Sequence, residues 1–223
     1  MAANPNSDPR AVDRARMVEE QLRQRGVHDQ LVLSAMGTVP REEFVVDRYR
    51  SDAYADHPLP IPLGQTVSQP FIVARMIEAA ALKPGNTVLE VGTGTGYEAA
   101  ILAQIGARVF TIERHAELAA LARLYLVALK YESVAVITGD GSEGYPAEAP
   151  FDAIIVAAAV PDIPPALFEQ LAEGGRLVIP IGPPDLQVLY LVRKVNERRV
   201  TVRLEDCRFV PLIGKQGFSP AKP

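Results

Sequence analysis

Three glycines alternate behind an acid in Glu90-Val91-Gly92-Thr93-Gly94-Thr95-Gly96-Tyr97, directly after the apolar run Thr87-Val88-Leu89. A short apolar run bounded by turn residues reads as a buried parallel strand. Glu98 to Ile105 reads as the helix behind it, which puts the glycines in a strand-to-helix turn. Glycine there lets the backbone approach a ligand with no side chain between, and the helix N-terminus offers unpaired N–H groups. Two more acids hold matching places: Glu113 closes the run Arg108 to Ile112, and Asp140 stands between Gly139 and Gly141 behind Val134-Ala135-Val136-Ile137. At the carboxyl ends of parallel strands such groups converge on one crevice. For a nucleoside ligand, Glu113 would accept from ribose hydroxyls and Asp140 would meet the adenine amino group. Each glycine or acid alone could serve only its turn, so their joint spacing carries the ligand reading. Ser68, in Gly64-Gln65-Thr66-Val67-Ser68-Gln69-Pro70, has no histidine or carboxylate beside it to activate it as a nucleophile. Local chemistry alone makes it the cap of a helix with Pro70 in its first turn.

Two large enzyme classes use such a glycine turn. A dinucleotide fingerprint can be drawn through Gly94, Gly96 and Ala99 with Glu113 as the ribose acid, which would make the chain a dehydrogenase. Counted from Gly92, however, bulky Tyr97 stands where close helix–strand packing wants glycine or alanine. The acid-x-Gly-x-Gly-x-Gly arrangement resembles the loop of class I S-adenosylmethionine-dependent methyltransferases. Still open at this point are a methyltransferase for a small molecule or another carboxyl group, a dehydrogenase, and a relative that binds cofactor without turnover.

The elements that must position these groups alternate along the chain. After the strand ending at Glu113 comes a helix-like Ala116 to Tyr131, the strand before Asp140, and a further strand Phe151 to Val156. This is the pattern of an α/β fold with a Rossmann-like, doubly wound, mostly parallel sheet, to which a C-terminal antiparallel strand pair is expected to add, with Cys207 in a strand. Ahead of it lies a helical appendage. Ala11 to Arg25 reads as a helix with Ala15, Val18 and Leu22 on one face and Gly26 as its stop, followed by a helix from Asp29 to Met36 and a short one opening at Pro40. Pro60 and Pro62 predict an extended path into Ser68. The expected division is a disordered 1–8, an appendage with the substrate-side segment over 9–84, a cofactor-binding domain over 85–214, and a flexible tail over 215–223.

Composition sets the remaining bounds. With 223 residues, a net charge of −4 and no basic footprint, the chain fits one large domain or one with an appendage, and nucleic acid is not an expected partner. It shows no apolar run of about 20 residues and no signal-peptide core, so a cytoplasmic protein without membrane contact is expected. One cysteine forms no intramolecular disulfide, and the three histidines match no metal-ligand spacing, so no metal is expected.

Longer segments make the likeness specific. Val39-Pro40-Arg41-Glu42-Glu43-Phe44-Val45, Gly64 to Pro70, Leu89 to Tyr97, Ile112-Glu113-Arg114, Gly139-Asp140-Gly141, Gly174 to Gly182 and Arg208-Phe209-Val210-Pro211-Leu212 resemble the motifs of the protein-L-isoaspartate O-methyltransferase family. The likeness runs from about Asp8 to Gly214, and the Gln-Thr-x-Ser-Gln-Pro segment is its most diagnostic part. It implies S-adenosylmethionine as cofactor, damaged proteins or peptides with L-isoaspartyl residues as substrate, and a monomer. Residue by residue, it makes Ser68 the active-site serine and Gly92, Gly94 and Gly96 the methionine-side loop, with Glu113 on the ribose and Asp140 at the adenine edge. It adds Glu90, Thr93, Tyr97, Arg114, Gly141, Thr66 and Gln69 to the cofactor site. Ile61, Thr66, Val67, Ser68, Val210, Pro211 and Leu212 would line the peptide side. The family usually has Gly-His where this chain has Pro62-Leu63, which removes a polar side chain near the entrance.

The chemistry implied needs few groups. An isoaspartyl α-carboxylate titrates near 3.5 and is already ionised at neutral pH, so no general base is required. Positioning is the main contribution, and oriented reactants can gain about 7–11 kcal/mol. Ser68 would orient the carboxylate by a hydrogen bond. Because the isoaspartyl linkage adds one backbone carbon, a groove that pairs with extended peptide backbone, built from Pro60 to Leu63 and Arg208 to Leu212, would select it over aspartate.

Overall fold

The computed structural model describes residues 10–219. The expected disorder over 1–8 lies outside them. Strand β1 (Leu59–Pro60) and strand β2 (Thr66–Val67) form a small antiparallel pair, and the main sheet holds β3 (Thr87–Val91), β4 (Arg108–Glu113), β5 (Ala135–Thr138), β6 (Phe151–Val156), β7 (Leu171–Ile181), β8 (Gln187–Val195) and β9 (Arg198–Cys207). The helices are α1 (Ala11–Arg16), α2 (Gln30–Thr38), α3 (Pro70–Ala80), α4 (Tyr97–Ile105), α5 (Ala116–Ala128) and α6 (Pro165–Glu169).

The sheet runs β5-β4-β3-β6-β7-β8-β9, parallel from β5 to β7 and antiparallel at β8 and β9. Strand order reverses at β3, which pairs with β4 on one side and β6 on the other, and ligands in such sheets bind outside that switch point. The central strands are continuous apolar runs because both faces are covered. Val88, Val109, Ala153 and Ile155 pack in one core with α2, α3, α4 and α5, while Leu89, Phe110, Ile154 and Val156 pack in a second with α6. The first core also takes Leu22, Met36, Phe44 and Tyr54, so the N-terminal helices and the sheet share one interior.

The helix over 11–25 forms with a different face. After α1 it widens into a π-helical stretch, Met17–Leu22, and tightens over Arg23–Arg25 before Gly26 ends it at φ +93°. In a π turn residues five apart share a side, so Met17 and Leu22 are buried together and Ala15, expected inside, is exposed. Arg14 takes the interior place, donating to the Gly37 carbonyl (3.0 Å) and the Tyr54 hydroxyl (3.1 Å). Asp29 is the N-cap of α2, accepting from the Leu31 amide at 2.8 Å. Helix α5 ends at Ala128 rather than Tyr131, since Lys130 turns left-handed at φ +65°.

Two expectations around Ser68 are corrected. The Pro60–Pro62 segment is a hairpin rather than an extended path, with Leu59 opposite Val67, Pro60 opposite Thr66, and a turn at Pro62–Gly64 that places Leu63 at φ +61°. Nor is Ser68 a cap: Gln69 holds that position without a side-chain bond, and Pro70, whose missing N–H needs no partner, opens α3. Beyond 214, the described part of the tail makes defined contacts. Lys215 and Gln216 donate backbone N–H groups to Asp140 (2.8 Å) and Ser142 (3.0 Å), and Phe218 bonds the Leu212 carbonyl (2.8 Å).

Candidate active site

A cleft opens at the switch point, over the carboxyl ends of β3, β4 and β6. Gly92 and Gly94 form one wall, at φ +101° and +55°, conformations that disfavour any side chain. Glu113, at the end of β4, faces them. Its carboxylate accepts the Gly94 N–H (3.0 Å) and the His115 N–H (3.0 Å), which fixes it against the glycine loop while leaving lone pairs toward the cleft. Arg114 and Gly141 line the same space. Thr66 and Ser68 enter from the hairpin, and Val210, Pro211 and Leu212 close the opposite side. That last segment is tied to the strand end behind β6: Ala159 donates to the Val210 carbonyl (2.8 Å) and Leu212 donates back to Ala159 (2.7 Å).

A smaller hollow lies beneath the glycine loop, lined by Thr66, Val67, Ser68, Thr93, Tyr97 and two acids, Glu90 and Glu98. Glu90 is fully buried, and neither of its carboxylate oxygens has a hydrogen-bonding partner. Burial, then the neighbouring Glu98, pushes its carboxyl well above the usual carboxylate range. Burial raises Glu98 to about 8. Both shifts favour the protonated form, as burial and a neighbouring acid do for any carboxyl.

The remaining candidates stand apart from the cleft. Gly96 lies behind it, where a Cβ would meet Leu126 at 3.3 Å, so its smallness serves the packing of α4 on α5. Gln69 turns its amide to the Asp56 carbonyl (3.1 Å), and Ile61 covers Gly94, its Cδ1 3.6 Å from where a Cβ would stand. Asp140 is held from both sides: one oxygen accepts from the Ser142 N–H (2.9 Å) and hydroxyl (2.7 Å), the other from the Lys215 N–H (2.8 Å). The cleft also uses residues not anticipated, among them Ala157 and Ala158. The two alanines directly follow β6, so the rule that ligands gather at strand carboxyl ends could have found them. Among the described residues no group of acids, histidines or cysteines could hold a metal ion, and no helix is long and apolar enough to cross a membrane.

The sheet order, the glycine turn and the acid behind it define the Rossmann-like methyltransferase fold. This chain belongs to the family described as protein-L-isoaspartate(D-aspartate) O-methyltransferase, whose sequence model matches residues 13–217. A protein-L-isoaspartate O-methyltransferase of Koribacter versatilis (strain Ellin345) is 68% identical over 222 residues, covering 100% of both chains. One from Methylorubrum populi is 56% identical over 201 residues, covering 90% of this chain and 94% of its own. Among solved structures, a protein-L-isoaspartate O-methyltransferase superposes with a TM-score of 0.84 at 31% identity, over 92% of this chain and 67% of its own. A β-aspartate methyltransferase from Plasmodium falciparum, in complex with S-adenosyl-L-homocysteine, gives 0.76 at 29% identity, over 90% and 98%.

Proposed function

We propose that this protein transfers the methyl group of S-adenosylmethionine to the free α-carboxylate of L-isoaspartyl residues in damaged proteins and peptides, with Ser68 orienting the acceptor. The family supports the reaction. One observation supports the site: Ser68 lines both the cleft walled by the glycine loop and a second cleft beside Gln69, Phe71 and Arg208, so it stands where a cofactor space and a peptide-sized space meet.

The residues present fit the cofactor. Gly92 and Gly94 leave the backbone open to the methionine chain, Glu113 is placed for the ribose hydroxyls, and Gly141 offers backbone near the base. Glu90 lines the hollow below, and an ammonium group entering it would favour the ionised form of that carboxyl. When bound, the cofactor supplies an electrophilic methyl on a sulfonium. The Ser68 hydroxyl donates a hydrogen bond to one oxygen of the substrate carboxylate and holds the other in line for attack. The Val210 to Leu212 segment lines the side of the cleft along which an extended peptide would lie. The carboxylate oxygen gains the methyl, the sulfur keeps the bonding pair, and no proton moves. The ester formed is a better leaving group than the acid, so the next backbone nitrogen closes a succinimide off the enzyme, whose hydrolysis returns some normal aspartate.

By likeness to the family we take the protein to be a monomer that works on cytoplasmic proteins; gel filtration and cell fractionation check both. Ser68→Ala tests the serine. We expect kcat on an isoaspartyl peptide to fall roughly ten- to a thousandfold, the scale of a lost active-site donor, with S-adenosylhomocysteine affinity retained. A folded variant with near-full kcat would refute the role.

A further inference from the structure

The Val39 to Val45 motif has no part in the reaction as described, yet it carries Arg41, the largest fully buried side chain among the described residues. Its guanidinium spans two carbonyls. Nε donates to Ala53 (2.7 Å) in the appendage, and Nη2 donates to Ser68 itself (2.7 Å), 27 residues onward. The same group lies over the Tyr97 ring at 4.7 Å, and Tyr97 is the first residue of α4, next to Gly96 of the cofactor loop. Phe44 of the same motif packs its ring 5.7 Å from Tyr97. One planar cation therefore touches the appendage, the serine segment and the start of the cofactor helix.

The geometry points to Arg41 as a positioning residue for methyl transfer, acting through the Ser68 carbonyl to fix the distance between the serine hydroxyl and the cofactor loop. The inference rests on the proposed role of Ser68. The Ser68 carbonyl belongs to the peptide unit that follows its Cα, so holding that plane restricts the backbone dihedrals that aim the hydroxyl. Ser68 needs this because it lies two residues ahead of α3, before the N-cap Gln69, where the helix's own hydrogen bonds do not hold it. A guanidinium suits the task where an ammonium would not, since its fork donates along two fixed directions while its face stacks on an aromatic ring. A misplacement of 1 Å in such a constellation costs about a hundredfold in rate.

Arg41→Lys keeps the charge but cannot reach both carbonyls from one nitrogen. We expect kcat on an isoaspartyl peptide to fall roughly ten- to a hundredfold, with S-adenosylhomocysteine affinity near that of the wild type, because the glycine loop keeps its own bonds from Gly92 to Ile112 and from Gly94 to Glu113. Arg41→Gln, a neutral donor that buries no unpaired ammonium, is the second variant should lysine fail to fold. The deciding measurement is a cycle with Ser68→Ala. If Arg41 acts through the serine, its replacement in the Ser68→Ala background lowers kcat little further. A purely structural arginine gives equal factors in both backgrounds, and that result, or full kcat in folded Arg41→Lys and Arg41→Gln, overturns the inference while leaving Ser68 in place. Near-full kcat in Ser68→Ala alone overturns the serine reading, and this inference with it.

Discussion

Glu113 is the residue on which the cofactor reading leans most, since it holds the glycine loop and faces the cleft at once. Glu113→Ala should weaken cofactor binding by about 1.5–3 kcal/mol, the range for hydrogen bonds to a charged group, as titration calorimetry would measure. Unchanged affinity in a folded variant would place the ribose elsewhere. Glu98 gives a prediction in pH. Its carboxyl is raised to about 8 by burial, above the unfolded value of about 4.3, so the folded state holds the proton more tightly. The stability this contributes is full below the unfolded value and is lost as pH rises through the folded one, at up to about 1.4 kcal/mol per pH unit. Glu98→Gln, neutral and similar in shape, should flatten that loss in urea unfolding series run from acid to alkaline pH. An equally steep loss in the variant would locate the proton elsewhere.

At the scale of elements, the strands, their order along the chain and their acids were legible in sequence because each central strand is a continuous apolar run ending at a turn. The hairpin before α3 was not: two prolines read as extension, while the turn depends on Leu63 adopting a left-handed conformation, which no side-chain pattern announces. Leu63→Gly should stabilise the fold by about 1 kcal/mol, the relief of a left-handed residue with a Cβ, unless lost chain stiffness in the unfolded state offsets it; chemical denaturation decides. The place of Asp140 after β5 points to an adenine contact; its bond to Lys215 of the tail, 75 residues away, is a second contact that spacing does not reveal. Burial acts to raise its pKa, but the hydrogen bonds from Ser142 and Lys215 prevail and lower it. Asp140→Ala should therefore raise the peptide KM by roughly tenfold, ~1.4 kcal/mol, with a smaller change in cofactor affinity. The opposite split would return Asp140 to the adenine.

Across the whole molecule, the appendage is part of the enzyme's interior. Leu22, Met36 and Phe44 join the core that packs on β3, β4 and β6, and Arg41 carries that connection to Ser68. Phe44→Ala should cost about 3–5 kcal/mol, and unfolding should remain a single transition by far-UV signal and by cofactor protection alike. Separate transitions would mean that the appendage folds apart from the sheet. The central claim concerns substrate, and one comparison tests it most directly: methyl transfer from labelled S-adenosylmethionine to a peptide with one isoaspartyl residue, beside the same peptide with aspartate. The groove and the serine predict label on the isoaspartyl peptide and background on the other. Equal labelling of the two would contradict the account and leave a general carboxyl methyltransferase in its place.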